Sequence, residues 1–160
     1  VQGGPQLPAS ITVDSLGSWT DFVGDEYKSF SGTAVYTTTI NKVPVADVIK
    51  LDLGSVAENA SVYLNGDYIG TVIDSPYQLY IPAEKFKGQD ELVVRVANSM
   101  ANRIAYMDKK GVDWKIFYNV NMSARKKENV KNGIFDASDW EPKSSGLLGP
   151  VTLTPAMVKQ

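Results

Sequence analysis

The sequence predicts an all-β chain folded as an antiparallel β-sandwich, and three observations carry that expectation. Apolar and polar residues alternate with period two in segment after segment, an Asn-Gly pair separates two such segments, and turn residues recur at short intervals. Successive side chains of a pleated strand face opposite ways, so this alternation writes one core face and one solvent face.

In chain order, Ile11 to Val13 and the Thr-rich run from Thr33 to Ile40 have the β-branched composition that suits a pleated surface. Ile49, Leu51 and Leu53 alternate with Lys50 and Asp52, and Ala60, Val62 and Leu64 with Ser61 and Tyr63. Asn65-Gly66 tolerates the two positive φ angles of a type I′ turn, so 60–64 is expected to fold straight back onto 67–73. Tyr77, Leu79 and Ile81 alternate with Gln78 and Tyr80; Leu92, Val94 and Val96 with Glu91 and Arg95; Val151 and Leu153 with Thr152 and Thr154. Seven or eight strands result. Gly54, Gly70, Ser75-Pro76, Pro82, Gly88 and Pro150 supply connections at the spacing of an antiparallel sandwich. Short helical pieces are expected only at Ala83 to Phe86 and at Ser138 to Trp140, where Asp136 or Ser138 would cap a turn. From Ser99 to Ser145 the alternation fades, so 99–145 reads as a loop-rich insertion within one domain covering 1–160.

Composition narrows the chemistry. The 160 residues carry a net charge of -2, which sets up no field for nucleic acid or an anionic membrane, and no apolar run is long enough to span a bilayer. The basic run Arg125-Lys126-Lys127 lacks interleaved aromatics and reads as a solvated loop. The absence of cysteine removes thiolate nucleophiles and disulfides, and the absence of histidine removes the usual neutral-pH base and zinc ligand. Asp21, Asp25 and Glu26 cluster near a glycine and could supply oxygen ligands to calcium, but their spacing lacks the EF-hand pattern, so a solvated acidic loop is favoured over a structural calcium site and no other cofactor is expected. Glycoside hydrolysis would need two carboxyl groups about 5 to 9 Å apart. Asp113 with Asp139 or Glu141 offers such acids, read here as solvated loop residues, and no catalytic residue is assigned.

Carbohydrate is the ligand class for which the sequence offers side chains, because a sugar ring's C–H face stacks on an aromatic plane while its hydroxyls bond polar neighbours. The candidates are Trp19, Tyr27, Arg103, Trp114, Tyr118 and Trp140, with Asn102 and Asn119 as further polar partners. The competing reading is that Trp19 and Trp140 close the ends of the core or pack on a neighbouring domain.

Several segments, in order, resemble a known family: Phe30-Ser31-Gly32-Thr33-Ala34-Val35-Tyr36, Leu51-Asp52-Leu53-Gly54, Ala60 through Gly70, Leu92 through Asn98, and Ser145-Gly146-Leu147-Leu148-Gly149-Pro150-Val151. They look like the galactose-binding-like jelly-roll domain that accompanies the catalytic barrel of family 2 glycoside hydrolases. The opening Leu16-Gly17-Ser18-Trp19-Thr20 and the Ser145–Val151 ending are more similar to the C-terminal domain of family 106 α-L-rhamnosidases. Read with that resemblance, Phe30 and Tyr36 would anchor the core and Gly149-Pro150 would admit a final strand at an edge. The resemblance implies a non-catalytic accessory domain of a periplasmic or extracellular enzyme. Its partner would be the parent's catalytic domain, with oligosaccharide or polysaccharide as a further contact; the alternative is an independent carbohydrate-binding module. The family's catalytic acids belong to the barrel, and nothing here matches them.

Overall fold

A computed structural model describes residues 7–116 and 126–156. In chain order the strands are β1 (Thr33–Ile40), β2 (Val48–Asp52), β3 (Ser55–Ala57), β4 (Asn59–Leu64), β5 (Asp67–Val72), β6 (Gln78–Pro82), β7 (Asp90–Ala97), β8 (Val130–Lys131), β9 (Ile134–Phe135), β10 (Gly146–Gly149) and β11 (Thr152–Ala156). The α-helices are α1 (Asp25–Lys28) and α2 (Ala101–Lys109). The chain divides into two compact units: Ile11–Trp19, Gly32–Asn98 and Ser144–Gln160 form a β-sandwich, and Val1–Ser10, Thr20–Ser31 and Ser99–Lys143 form a mixed unit.

The sandwich unit contains a four-stranded sheet ordered β1-β7-β4-β5, a three-stranded sheet ordered β11-β2-β6 and the short pair β10-β3, each pairing antiparallel. The alternation read from the sequence is the burial pattern itself: Ala60, Val62 and Leu64 of β4 and Leu92, Val94 and Val96 of β7 are buried, and they share one cluster with Leu51 and Ile81 of the opposite sheet. Packing of two inner faces in this way makes the fold an all-β sandwich. Asn65 and Gly66 hold φ of 52° and 86°, as the type I′ hairpin requires. Beyond the turn, β5 pairs with β4 as far as Ala60↔Val72. β11 closes the three-stranded sheet at an edge, where Pro155 removes no needed donor. Gly54 stands so close to Gly149 and Pro150 that a Cβ would overlap their backbone, and its φ of +67° favours glycine as well.

Several expectations fail, helix confined to Ala83 to Phe86 and Ser138 to Trp140 among them, since α1 and α2 lie elsewhere. Ile11 to Val13 join no ladder and stay 50% and 41% exposed at Ile11 and Val13, because β-branched composition marks suitability for a sheet without supplying a neighbour. Phe30 precedes β1 and is absent from the sandwich core, whereas Tyr36 packs against it and accepts a 3.1 Å hydrogen bond from the Leu147 N–H. Ser138 to Trp140 form a turn rather than a helix; Asp136 caps it by accepting from the Ser138 N–H and hydroxyl.

Within the mixed unit, the stretch read as loops contains α2. Its end is a Schellman motif, in which Gly111 at φ +67° donates to the Asp108 carbonyl while Val112 donates to that of Met107. Asn102 clamps the helix to the chain at Lys143, its Nδ2 donating to the Lys143 carbonyl and its Oδ1 accepting from the Lys143 N–H, both at 2.8 Å. Strands β8 and β9 form a second hairpin around Asn132-Gly133, at φ 52° and 78°. Among the described residues no helix is long and apolar enough to cross a membrane.

Candidate functional site

The mixed unit gathers most of the aromatic and polar candidates. Phe135 on β9 and Ala137 form a small buried cluster, against which Ile104 of α2, Trp114 and Trp140 pack. Asp108, in the last turn of α2, is the polar centre. Its side chain is 1% exposed, and Oδ1 accepts from the Trp114 indole at 2.7 Å and from Lys115 Nζ at 2.8 Å. The other oxygen accepts from the Ala137 N–H at 2.8 Å. A carboxylate near a helix C-terminus faces the negative end of the dipole, so its burial depends on these three donors. The Lys115 ammonium also lies 5.5 Å from the Trp114 ring centre. Trp140 meets Phe135 edge-on at 5.8 Å and donates at 2.9 Å to Oδ1 of the buried Asn129.

Trp114 and Trp140 therefore come together on one cluster with their indole N–H groups already committed. Tyr27 lies edge-on to Phe22 at 5.5 Å and donates to the Ala9 carbonyl. Arg103 is buried in α2, with its guanidinium 5.8 Å from the Tyr106 ring centre. Trp19 belongs to the sandwich unit and is 5% exposed beside Gly146, where a Cβ would strike its ring. Tyr118 and Asn119 lie outside the described residues.

Asp113 and Glu141 are exposed, and Asp139 is an exposed partner of Lys131 at 3.1 Å. Burial would push the Asp90 carboxyl up, but donors from the Asn65 side chain and from the Lys87 and Gly88 N–H groups outweigh it and hold the acid below its ordinary range. The Gly54 N–H lowers Asp52 with help from Gln78, and the Ser138 hydroxyl lowers Asp136. A general acid for glycoside cleavage needs the opposite displacement, so these three carboxylates act as ionised staples. The described residues contain no cluster of three or more metal-ligating acids.

Comparison with known proteins is decisive for the fold. A rhamnosidase from Novosphingobium sp. PP1Y superposes over 92% of this chain with a TM-score of 0.73 and 30% identity. The chain therefore has the fold of a glycoside hydrolase β-domain. A protein of Formosa agariphila with a provisional beta-glucuronidase name is 34% identical over 89% of this β-domain chain. The matched region is 13% of the rhamnosidase and 14% of the Formosa protein, so the chain spans about one-seventh of either relative. No family model matches the chain.

Two elements of the mixed unit carry local sequence signals. Lys110-Gly111 is a helix-stop signal that would have marked α2, and Asn132-Gly133 repeats the hairpin signal found at Asn65-Gly66. Asp108 had no local signal, since its three partners are 6, 7 and 29 residues away in sequence.

Proposed function

We propose that this chain is a non-catalytic accessory β-sandwich of a larger glycoside hydrolase, of the α-L-rhamnosidase type, that packs on the parent's catalytic domain. The observation that carries the reading is the asymmetry of coverage: nearly all of this chain matches about one-seventh of two proteins named as glycosidases. The lowered acids agree with it, because ionised staples supply no proton to a leaving group. A periplasmic or extracellular site of action fits an enzyme of this type. Assay of the purified chain on aryl α-L-rhamnosides and aryl β-glucuronides is expected to give no turnover; hydrolysis that tracks the protein through purification would overturn the reading.

A further inference from the structure

The outward face of the β1-β7-β4-β5 sheet carries a side-chain cluster that no sequence signal picked out. Alternate residues of β4 and β7 form the core, so their neighbours point away from it. Tyr63 has Val93 and Tyr68 as its cross-strand neighbours, and Ser61 has Arg95 and Thr71. The two tyrosine rings are 5.5 Å apart at 59°, and the Arg95 guanidinium lies 4.8 Å over the Tyr63 ring. The Tyr68 hydroxyl is 2.9 Å from that of Thr71, which is 2.7 Å from that of Ser61. Tyr68 is nevertheless 59% exposed, and Arg95 is exposed with no carboxylate paired to it among the described residues. Of the acids on these strands, Glu91 and Asp67 stand toward the hairpin end of the sheet and Asp90 is buried.

Taken together these groups form a ligand surface with mixed chemistry. Neighbours hold the rings in place, which reduces the ordering cost of a contact. A tyrosine plane takes the C–H face of a sugar, hydroxyls take sugar hydroxyls, and a guanidinium with no acid of its own takes a carboxylate through paired N–H donors. We propose that this face binds an oligosaccharide bearing a uronate carboxylate, with Tyr63 and Tyr68 as platform, Arg95 as carboxylate partner and the Ser61–Thr71 pair as hydroxyl partner. Charge complementarity at Arg95 selects the acidic glycan. The inference rests on the reading that the chain belongs to a glycan-processing enzyme and is independent of its being non-catalytic.

The test is calorimetric titration of the 160-residue chain with glucuronate oligosaccharides and with their carboxyl-reduced counterparts. Saturable binding is expected for the acidic series, weakened at least about tenfold by carboxyl reduction, by Arg95→Gln and by Tyr68→Ala. Tyr68→Phe keeps the ring and most of the binding, and Tyr80→Ala, an exposed tyrosine on the other sheet, leaves it unchanged. Circular dichroism and urea midpoints establish that each variant is folded. A flat titration, equal binding of reduced oligosaccharides, or binding that survives both Arg95→Gln and Tyr68→Ala overturns the proposal. So does self-association of the chain that Tyr68→Ala abolishes, which would give the face to a second copy. A flat titration without turnover leaves the accessory reading standing, whereas turnover defeats that reading and not this site.

Discussion

Strands β2, β4 and β7 of the sandwich unit bury Leu51, Val62 and Val94 in one apolar cluster, whereas α2 and the β8–β9 hairpin of the mixed unit are fastened chiefly through Asp108, Asn102 and Asn129. The first arrangement draws on non-directional burial spread over many residues. The second draws on a few directional contacts around a cluster of two buried residues, so its order depends on particular atoms. Damage should therefore be graded by volume removed in the sandwich and by donors orphaned in the mixed unit.

Leu51→Ala is the largest expected loss. Leu51 is fully buried and lies in the central strand of its sheet, so truncation should cost toward the upper end of roughly 2 to 5 kcal/mol, read as a lowered urea midpoint at unchanged m-value. A loss below about 1 kcal/mol would mean that the core collapses around the cavity and that the sandwich is less tightly specified than its burial indicates.

Asp108→Ala tests the other side of the comparison. It orphans the Trp114 indole, the Ala137 N–H and the Lys115 ammonium together, for a local cost of about 3 kcal/mol. Hydrogen exchange should show roughly hundredfold faster exchange in α2 amides, and Trp114 fluorescence should shift toward that of a solvated indole. Unchanged protection in α2 would show that Ile104 and the aromatic cluster hold the unit without the carboxylate.

The same contrast governs what the sequence revealed. Burial in strands is periodic and local, so β1, β2, β4 through β7 and β11 could be read directly, and Asn65-Gly66 set one register. The strand expected at Ile11 to Val13 failed because composition says nothing of an available partner. The mixed unit was opaque for a related reason: Asn102 and its partner Lys143 are 41 residues apart, and neither sits in a repeating pattern. The Tyr63, Tyr68 and Arg95 cluster was hidden in plain alternation, as solvent-face residues of strands read for their other face.

Asp90 lets acid sharpen the comparison, because it is a polar staple within the apolar unit. It is 1% exposed at the start of β7, and its folded carboxyl is held below the unfolded value of about 3.9. A depressed carboxyl adds stability that is fully present above the unfolded value and is lost as pH falls from there through the lower folded value. Stability should therefore drop below about pH 4. Asp90→Asn should cost roughly 1 to 3 kcal/mol at pH 7 and flatten the acid slope. An equally steep slope in the variant would assign the acid sensitivity to Asp52 and Asp136, whose carboxyls are displaced in the same direction.

Lys131→Met should have the smallest effect, although Lys131 faces both Asp136 at 3.3 Å and Asp139 at 3.1 Å. Its ammonium is 51% exposed, where water screens both pairs and the side chain gives up entropy to hold them. Its hydrogen bonds to Asp139 and Asp136 raise its pKa, so whatever stability it adds is present below the unfolded lysine value and disappears as pH rises through the folded one. Thermal melts at pH 7 should be indistinguishable from those of the parent chain. Asp136→Ala should lower stability by about 1 kcal/mol, because Asp136 also caps the Ser138 turn with two donors. If the lysine variant loses as much as the aspartate variant, the exposed ion pairs themselves carry the β8–β9 end of the mixed unit, and proximity to Asp108 is not what orders it.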